Sequence, residues 1–176
     1  VLSIKPILDM STGEVHEAAK PRTRKKGLLW LRDKVLEFGD DVEAKVEDLS
    51  GRTRMWGMLD TLDNLLKGGR IGKAQQLMGS VLSIKPILDM STGEVHEAAK
   101  PRTHKKGLLW LRDKVLEFGD DIETLWVMAG DPDDAGELVD LLAADYTGEI
   151  GQGRIGPVIG THGGPGVLGV TFWVKP

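Results

Sequence analysis

The chain has 176 residues, 40% hydrophobic and 28% charged, a balance that excludes disordered, collagen-like and membrane-spanning classes and allows one sizeable core. With no cysteine and a net charge of −4, it has no disulfide, thiol nucleophile or thiolate metal site, and binding to nucleic acid through phosphate neutralisation is disfavoured. No apolar run approaches the roughly 18 residues that span a bilayer, and the start lacks the charged-then-apolar pattern of a signal peptide, so the expected location is cytoplasmic.

Residues 1–41 recur at 81–121, and the copies differ only in that Arg24 is replaced by His104. Two copies with unlike material after each do not make a stacking array. So close an agreement reads as a recent or engineered duplication, and the absence of Met before Val1 fits a defined fragment. Within the block, numbered in its second copy, 84–88 and 95–100 read as strands joined by the glycine-containing connection 89–93. Pro86 removes a ladder donor, so its strand is expected at an edge or a bend. A helix follows Pro101, with Thr103 as N-cap, Leu108, Leu111, Val115 and Phe118 on one face, Trp110 pointing away from it, and Gly119 at its end. The block is therefore a ββα unit.

After the first copy, Val42, Val46 and Leu49 recur at helical spacing, and Leu59, Leu62 and Leu66 mark another helix running to Gly68-Gly69. After the second copy, 125–129 reads as a buried strand. Asp131-Pro132-Asp133-Asp134 supplies cap chemistry for a helix carrying Ala135, Leu138, Leu141 and Leu142. Gly151-Gln152-Gly153 reads as a turn, and the apolar runs 155–159 and 167–174 as strands around a glycine-rich loop. The fold class is α/β, or α+β-like: a layered sandwich with a mixed sheet flanked by helices. The expected organisation is a duplicated segment, 1–41, and a domain over 42–176 that includes the second copy, integrated into one domain.

Three constellations could carry chemistry. Gly160-Thr161-His162-Gly163-Gly164-Pro165-Gly166 could cradle an anion with backbone N–H groups, His162 and the Thr161 hydroxyl, or could be a tight connection that needs glycine. Gly68-Gly69-Arg70 could fix a guanidinium for a carboxylate or phosphate, or could be a helix C-cap with Arg70 solvated. Lys100, Arg102, His104, Lys105 and Lys106, repeated as Lys20, Arg22, Arg24, Lys25 and Lys26, oppose the dipole at a helix start and so suggest an acidic partner, or else a solvated face. No histidine sits in a metal-ligand spacing, and no cofactor motif is present.

Gly68-Gly69-Arg70-Ile71, Ser83-Ile84-Lys85-Pro86-Ile87-Leu88, Lys100-Pro101-Arg102-Thr103 and 160–166, in that order, resemble the C-terminal domain of the DegV family of bacterial fatty-acid-binding proteins. The resemblance runs from about Val46 to Val174, with the second copy in the family position, Gly163 where the family usually has a threonine, and no counterpart of the family's N-terminal domain. It implies a fatty acid held between two domains and presented to a kinase subunit. It places Arg70 and His162 at the acyl-carboxylate end, where Thr161, Gly163 and Gly164 of the glycine-rich loop complete the expected ligand-binding set, and Arg102, with its copy Arg22, toward the kinase. It implies no catalysis by this chain itself. A ligand-free duplicated scaffold is the alternative, and a hydrolase using His162 a further one, although no Gly-x-Ser-x-Gly elbow is present. The expected state is a monomer or a domain-swapped dimer.

Overall fold

A computed structural model describes residues 7–9, 16–37, 39, 42–71 and 84–176. The first copy's turn between its strands, Phe38, and Ser83 lie outside the described residues. The chain forms two compact units, Val1–Asp48 and Leu49–Pro176. No described helix is long and apolar enough to cross a membrane.

In the first unit, β1 (Ile7–Asp9) pairs antiparallel with β2 (His16–Ala19), and α1 (Arg24–Leu36) follows. Thr23, in extended conformation, caps α1 by accepting from Lys26 N at 3.2 Å, the side-chain satisfaction of an orphan helix donor that threonine provides. The boundary between the units falls within α2 (Val42–Arg52).

The second unit carries a six-stranded sheet in the order β5-β4-β3-β8-β6-β7, formed by β3 (Thr53–Met58), β4 (Ile87–Asp89), β5 (His96–Ala99), β6 (Ile122–Ala129), β7 (Ile150–Arg154) and β8 (Leu168–Val174). Only β6 and β7 run parallel; α5 (Pro132–Ala143) makes the crossover between them, as parallel neighbours require. The mixed α/β sheet read from the sequence is thus the architecture found. Short helices α3 (Asp63–Lys67) and α6 (Pro157–Gly163) follow β3 and β7, and α4 (His104–Leu116) leads to a 3₁₀ turn at Gly119–Asp121.

Alternation along β6 explains the main core. Ile122, Leu125, Val127 and Ala129 are buried, while Glu123 and Trp126 face out. The buried set packs with Leu138 and Leu142 of α5, Leu108, Leu111 and Val115 of α4, and Phe172 of β8. Trp56 of β3 contacts Phe172, Phe118 and Trp110, with ring centroids 5.7, 6.2 and 6.4 Å away. Trp110, expected to point away from the core, is therefore covered by another indole. A smaller core gathers Leu59, Leu65, Ile71, Leu88 and Val167.

Four local expectations are corrected. Leu59, Leu62 and Leu66 do not share a helix: the spacing extends across the end of β3, a bend and the five residues of α3. β3 itself ends in a continuous buried run, Trp56, Gly57 and Met58. Gly151-Gln152-Gly153 is not a turn but the middle of β7, where a Cβ on Gly151 would lie 2.6 Å from Trp126 Cδ2 and one on Gly153 2.9 Å from Met128 Cε. Glycine lets these larger side chains of the neighbouring strand lie across β7. Residues 155–159 are the exit of β7 and the start of α6 rather than a strand. Finally, β4 is an interior strand, and Pro86 is accommodated because it lies one residue before it, its carbonyl accepting from Leu59 N at 2.9 Å.

Candidate functional site

The site is built where α3 ends against α6. At the C-terminus of α3, Arg70 N donates to Leu65 O at 2.9 Å and Gly69 N to Leu66 O at 3.0 Å, the paired bonds of a Schellman motif. Gly69 sits at φ 63, a left-handed conformation that glycine adopts without steric cost. Gly68, by contrast, has an ordinary helical backbone at φ −80. It is glycine for a different reason, since a Cβ there would lie 2.7 Å from His162 Cε1, and closer still to Nδ1.

His162 occupies the last turn of α6, and its imidazole lies against Gly68 with Nδ1 buried and without a hydrogen-bond partner. A buried ring nitrogen left unpaired carries a desolvation penalty of about 1–3 kcal/mol. Arg70 flanks the same glycine: its side chain is exposed and Nη1 donates to Gly68 O at 3.1 Å. The two sequence motifs, 92 positions apart, therefore meet at one residue.

The remaining loop residues divide. Gly160 N donates to Gly156 O at 2.9 Å and Gly164 N to Gly160 O at 2.8 Å, so these donors complete α6 and its end rather than converge on an anion. Thr161 lies exposed, and its hydroxyl donates to Pro157 O at 2.7 Å. Gly163 is buried, with a would-be Cβ 2.8 Å from Val167 Cγ2. Gly164, at φ 82, is packed against the Asn64 side chain, and Gly166, at φ 71, against the Asp60 carboxylate, which also receives Lys85 Nζ at 2.7 Å. Asn64 and Asp60 carry no sequence motif that would have singled them out.

Thr161 and Gly164 also line a cleft of about 810 Å³ with Asp131, Asp134, Arg154 and Val167. It opens beyond the C-terminal ends of the parallel pair β6 and β7, where ligand crevices of α/β sheets form; its volume is that of a small-molecule site. His162 and Arg70 are not among its lining residues, so the predicted residues fall into two neighbourhoods. The basic positions Arg22 and Arg102 are exposed just before Thr23 and Thr103, each beside a lysine–glutamate pair, Lys20–Glu17 at 2.8 Å and Lys100–Glu97 at 2.9 Å. Among the described residues no cluster of three or more histidines and carboxylates could hold a metal.

A family model described as an uncharacterised protein of the DegV family matches residues 39–175. The chain belongs to the DegV family. A DegV domain-containing protein of Streptomyces coelicolor is 35% identical over 135 residues, 74% of this chain and 48% of the relative. Protein DegV of Bacillus subtilis is 31% identical over 140 residues, 77% and 50% of the two chains. This chain spans about half the length of these curated relatives. A fatty acid binding DegV family protein of Streptococcus agalactiae has a similar solved structure, with TM-score 0.69, 28% identity, and coverage of 86% of this chain and 54% of that one. A DegV family protein of Thermus thermophilus, described by its fatty acid binding, follows at TM-score 0.67, 29% identity, 84% and 56%. The DegV match covers α2, α3, the second copy and α6, and begins at residue 39.

Proposed function

We propose that this chain is the carboxylate-recognising part of a DegV-type fatty-acid-binding protein and has no catalytic activity of its own. The carrying observation is His162: its Nδ1 is buried and unpaired beside Gly68, with the Arg70 guanidinium on the same glycine. A monocarboxylate supplies acceptors for the arginine and for a ring N–H of the imidazole. Family members described as fatty acid binding support the ligand class. On this reading Thr161, Gly163 and Gly164 shape the loop that carries His162, while the cleft at β6 and β7, with apolar wall from Ile155 and Val167, is a separate surface that His162 and Arg70 do not line. Arg102, and Arg22 as its copy, would face an acidic surface such as a kinase subunit, from a cytoplasmic monomer.

Native mass spectrometry of the purified chain tests this. A co-purifying fatty acid, lost in His162→Ala and Arg70→Ala variants that still melt cooperatively, is the expected result; a chain that stays empty with added oleate would overturn it. A second reading, a duplicated scaffold without ligand, is favoured by the separation of His162 and Arg70 from the residues that line the cleft, because a pocket needs most of a ligand's surface enclosed. Hydrolysis has less support, since no described hydroxyl is hydrogen-bonded to His162.

A further inference from the structure

Identical sequence has opposite surroundings in the two copies. Leu108, Leu111 and Val115 of α4 are each 0% exposed, whereas their counterparts in α1, Leu28, Leu31 and Val35, are 56%, 46% and 49% exposed. The cause is not local structure. The hairpins share one register, Ile7↔Ala19 and Leu8↔Glu17 against Ile87↔Ala99 and Leu88↔Glu97, with the same irregularity between the two pairs. The helix caps are also alike, Thr23 at φ −132, ψ 152 and Thr103 at φ −133, ψ 152. The described hairpin and helix start of the first copy thus have the same local geometry as their counterparts in the second copy, which fill its place on the sheet.

We propose that the two copies compete for one slot, and that residues 1–41 can replace 81–121 against β3, β8 and α5 of the same molecule. Every apolar side chain that the slot receives from the second copy is present in the first. The fit extends to a steric detail: Gly107 lies so close to Met58 Sδ that no Cβ fits there, and the first copy carries Gly27 at that position. The single difference sits at the first helical residue, where exchange sets Arg24 in place of His104, whose Nε2 is buried without a partner.

The connections permit the exchange. The second copy leaves the slot at Asp121, whose carbonyl accepts from Lys175 N at 2.7 Å. There Thr124 of β6 and Thr53 of β3 pair with Trp173 from opposite sides. The exit of the slot, opposite Lys175, is therefore two strand spacings across and two residues along from the start of β3, roughly 12 Å. Residues 42–52, which join the first copy to β3, reach about 16 Å as a helix and about 36 Å extended. A first copy seated in the slot can thus run straight on into β3. The exchange is intramolecular and independent of concentration, unlike a swap between molecules.

Three variants of the full chain decide the matter, Leu111→Glu, Leu31→Glu and the double variant, each followed by thermal melting and by limited trypsin digestion read by mass spectrometry. Leu111→Glu is expected to melt cooperatively near the parent midpoint, with cleavage at Lys105 and Lys106 rising about tenfold or more as the second copy is expelled. Over the same digestion, cleavage at Lys25 and Lys26 should fall. Leu31→Glu should leave the melt and the cleavage pattern unchanged, and the double variant should lose the cooperative transition. Exchange is overturned if Leu111→Glu behaves like the double variant. It is equally overturned if Leu111→Glu regains its melt only as a dimer whose fraction grows with concentration in light scattering.

Discussion

Gly68 and Gly69 are neighbours and both glycine, yet alanine at each should do different damage. Gly68 has a helical backbone, φ −80 and ψ −5, that alanine accepts, and the replacement removes unfolded-state freedom worth about 0.4–1 kcal/mol. Against this, the new Cβ meets the His162 ring, with Cε1 at 2.7 Å, and turning that ring off its rotamer costs about 0.5–1.5 kcal/mol. The two effects nearly cancel, so Gly68→Ala should leave stability almost unchanged while displacing His162. At Gly69, φ 63 with nothing within 4 Å of a Cβ, alanine suffers no clash but pays about 1–2 kcal/mol for the left-handed backbone. Set against the same entropic gain, the net loss is near 1 kcal/mol, a fall in Tm of about 4 °C for a unit of this size. Urea unfolding followed by tryptophan fluorescence measures the stabilities, and the His162 Cε1–H resonance in NMR reports the ring. An unmoved resonance in Gly68→Ala, or an unchanged stability in Gly69→Ala, would refute the assignment of one glycine to side-chain approach and the other to backbone conformation.

Phe172, 1% exposed and in ring contact with both Trp56 and Phe118, should cost about 3–5 kcal/mol when replaced by alanine, seen as a lower urea midpoint with little change in slope. Gly151→Val should destabilise β7 and turn Trp126 out from its place across the strand, since a Cβ would lie 2.6 Å from Trp126 Cδ2; a red-shifted tryptophan emission in the folded state is the readout. Burial, and then the Asp120 charge, raise the Tyr146 pKa above the usual 10.0. The neutral phenol is the form that folding favours, so its contribution is present below pH 10 and is lost as pH rises through the higher folded value. Tyr146→Phe should therefore lose less stability between pH 9 and 11 than the parent, and equal slopes would contradict the burial assigned to this ring.

Much of the candidate site was legible. His162 and Arg70 stand in glycine-rich motifs, and the helix end at Gly68-Gly69 follows from glycine's role as a C-cap. The reason for Gly68 was not legible, because the group that excludes its Cβ lies 94 positions away, on α6. Nor could spacing show that Thr161 and His162, adjacent in sequence, lie on different sides of α6, one lining the cleft and the other against α3. β3 and β7 were missed for related reasons. In β3 the leucines that follow imitate a helical period, and in β7 the glycines that usually mark a turn are there to admit Trp126 and Met128.

The repeated block separates local from tertiary determination within one chain. Sequence alone specified the ββα unit: both copies have the same hairpin register and the same threonine cap, because these features rest on hydrogen bonds between near neighbours in the chain. Sequence alone did not specify which helix would bury its leucines. Leu111 is sealed from water and Leu31 is not, although their neighbours along the chain are the same. Burial needs apolar surface from distant segments, and the described structure provides it at α4, which packs against α5 and the sheet.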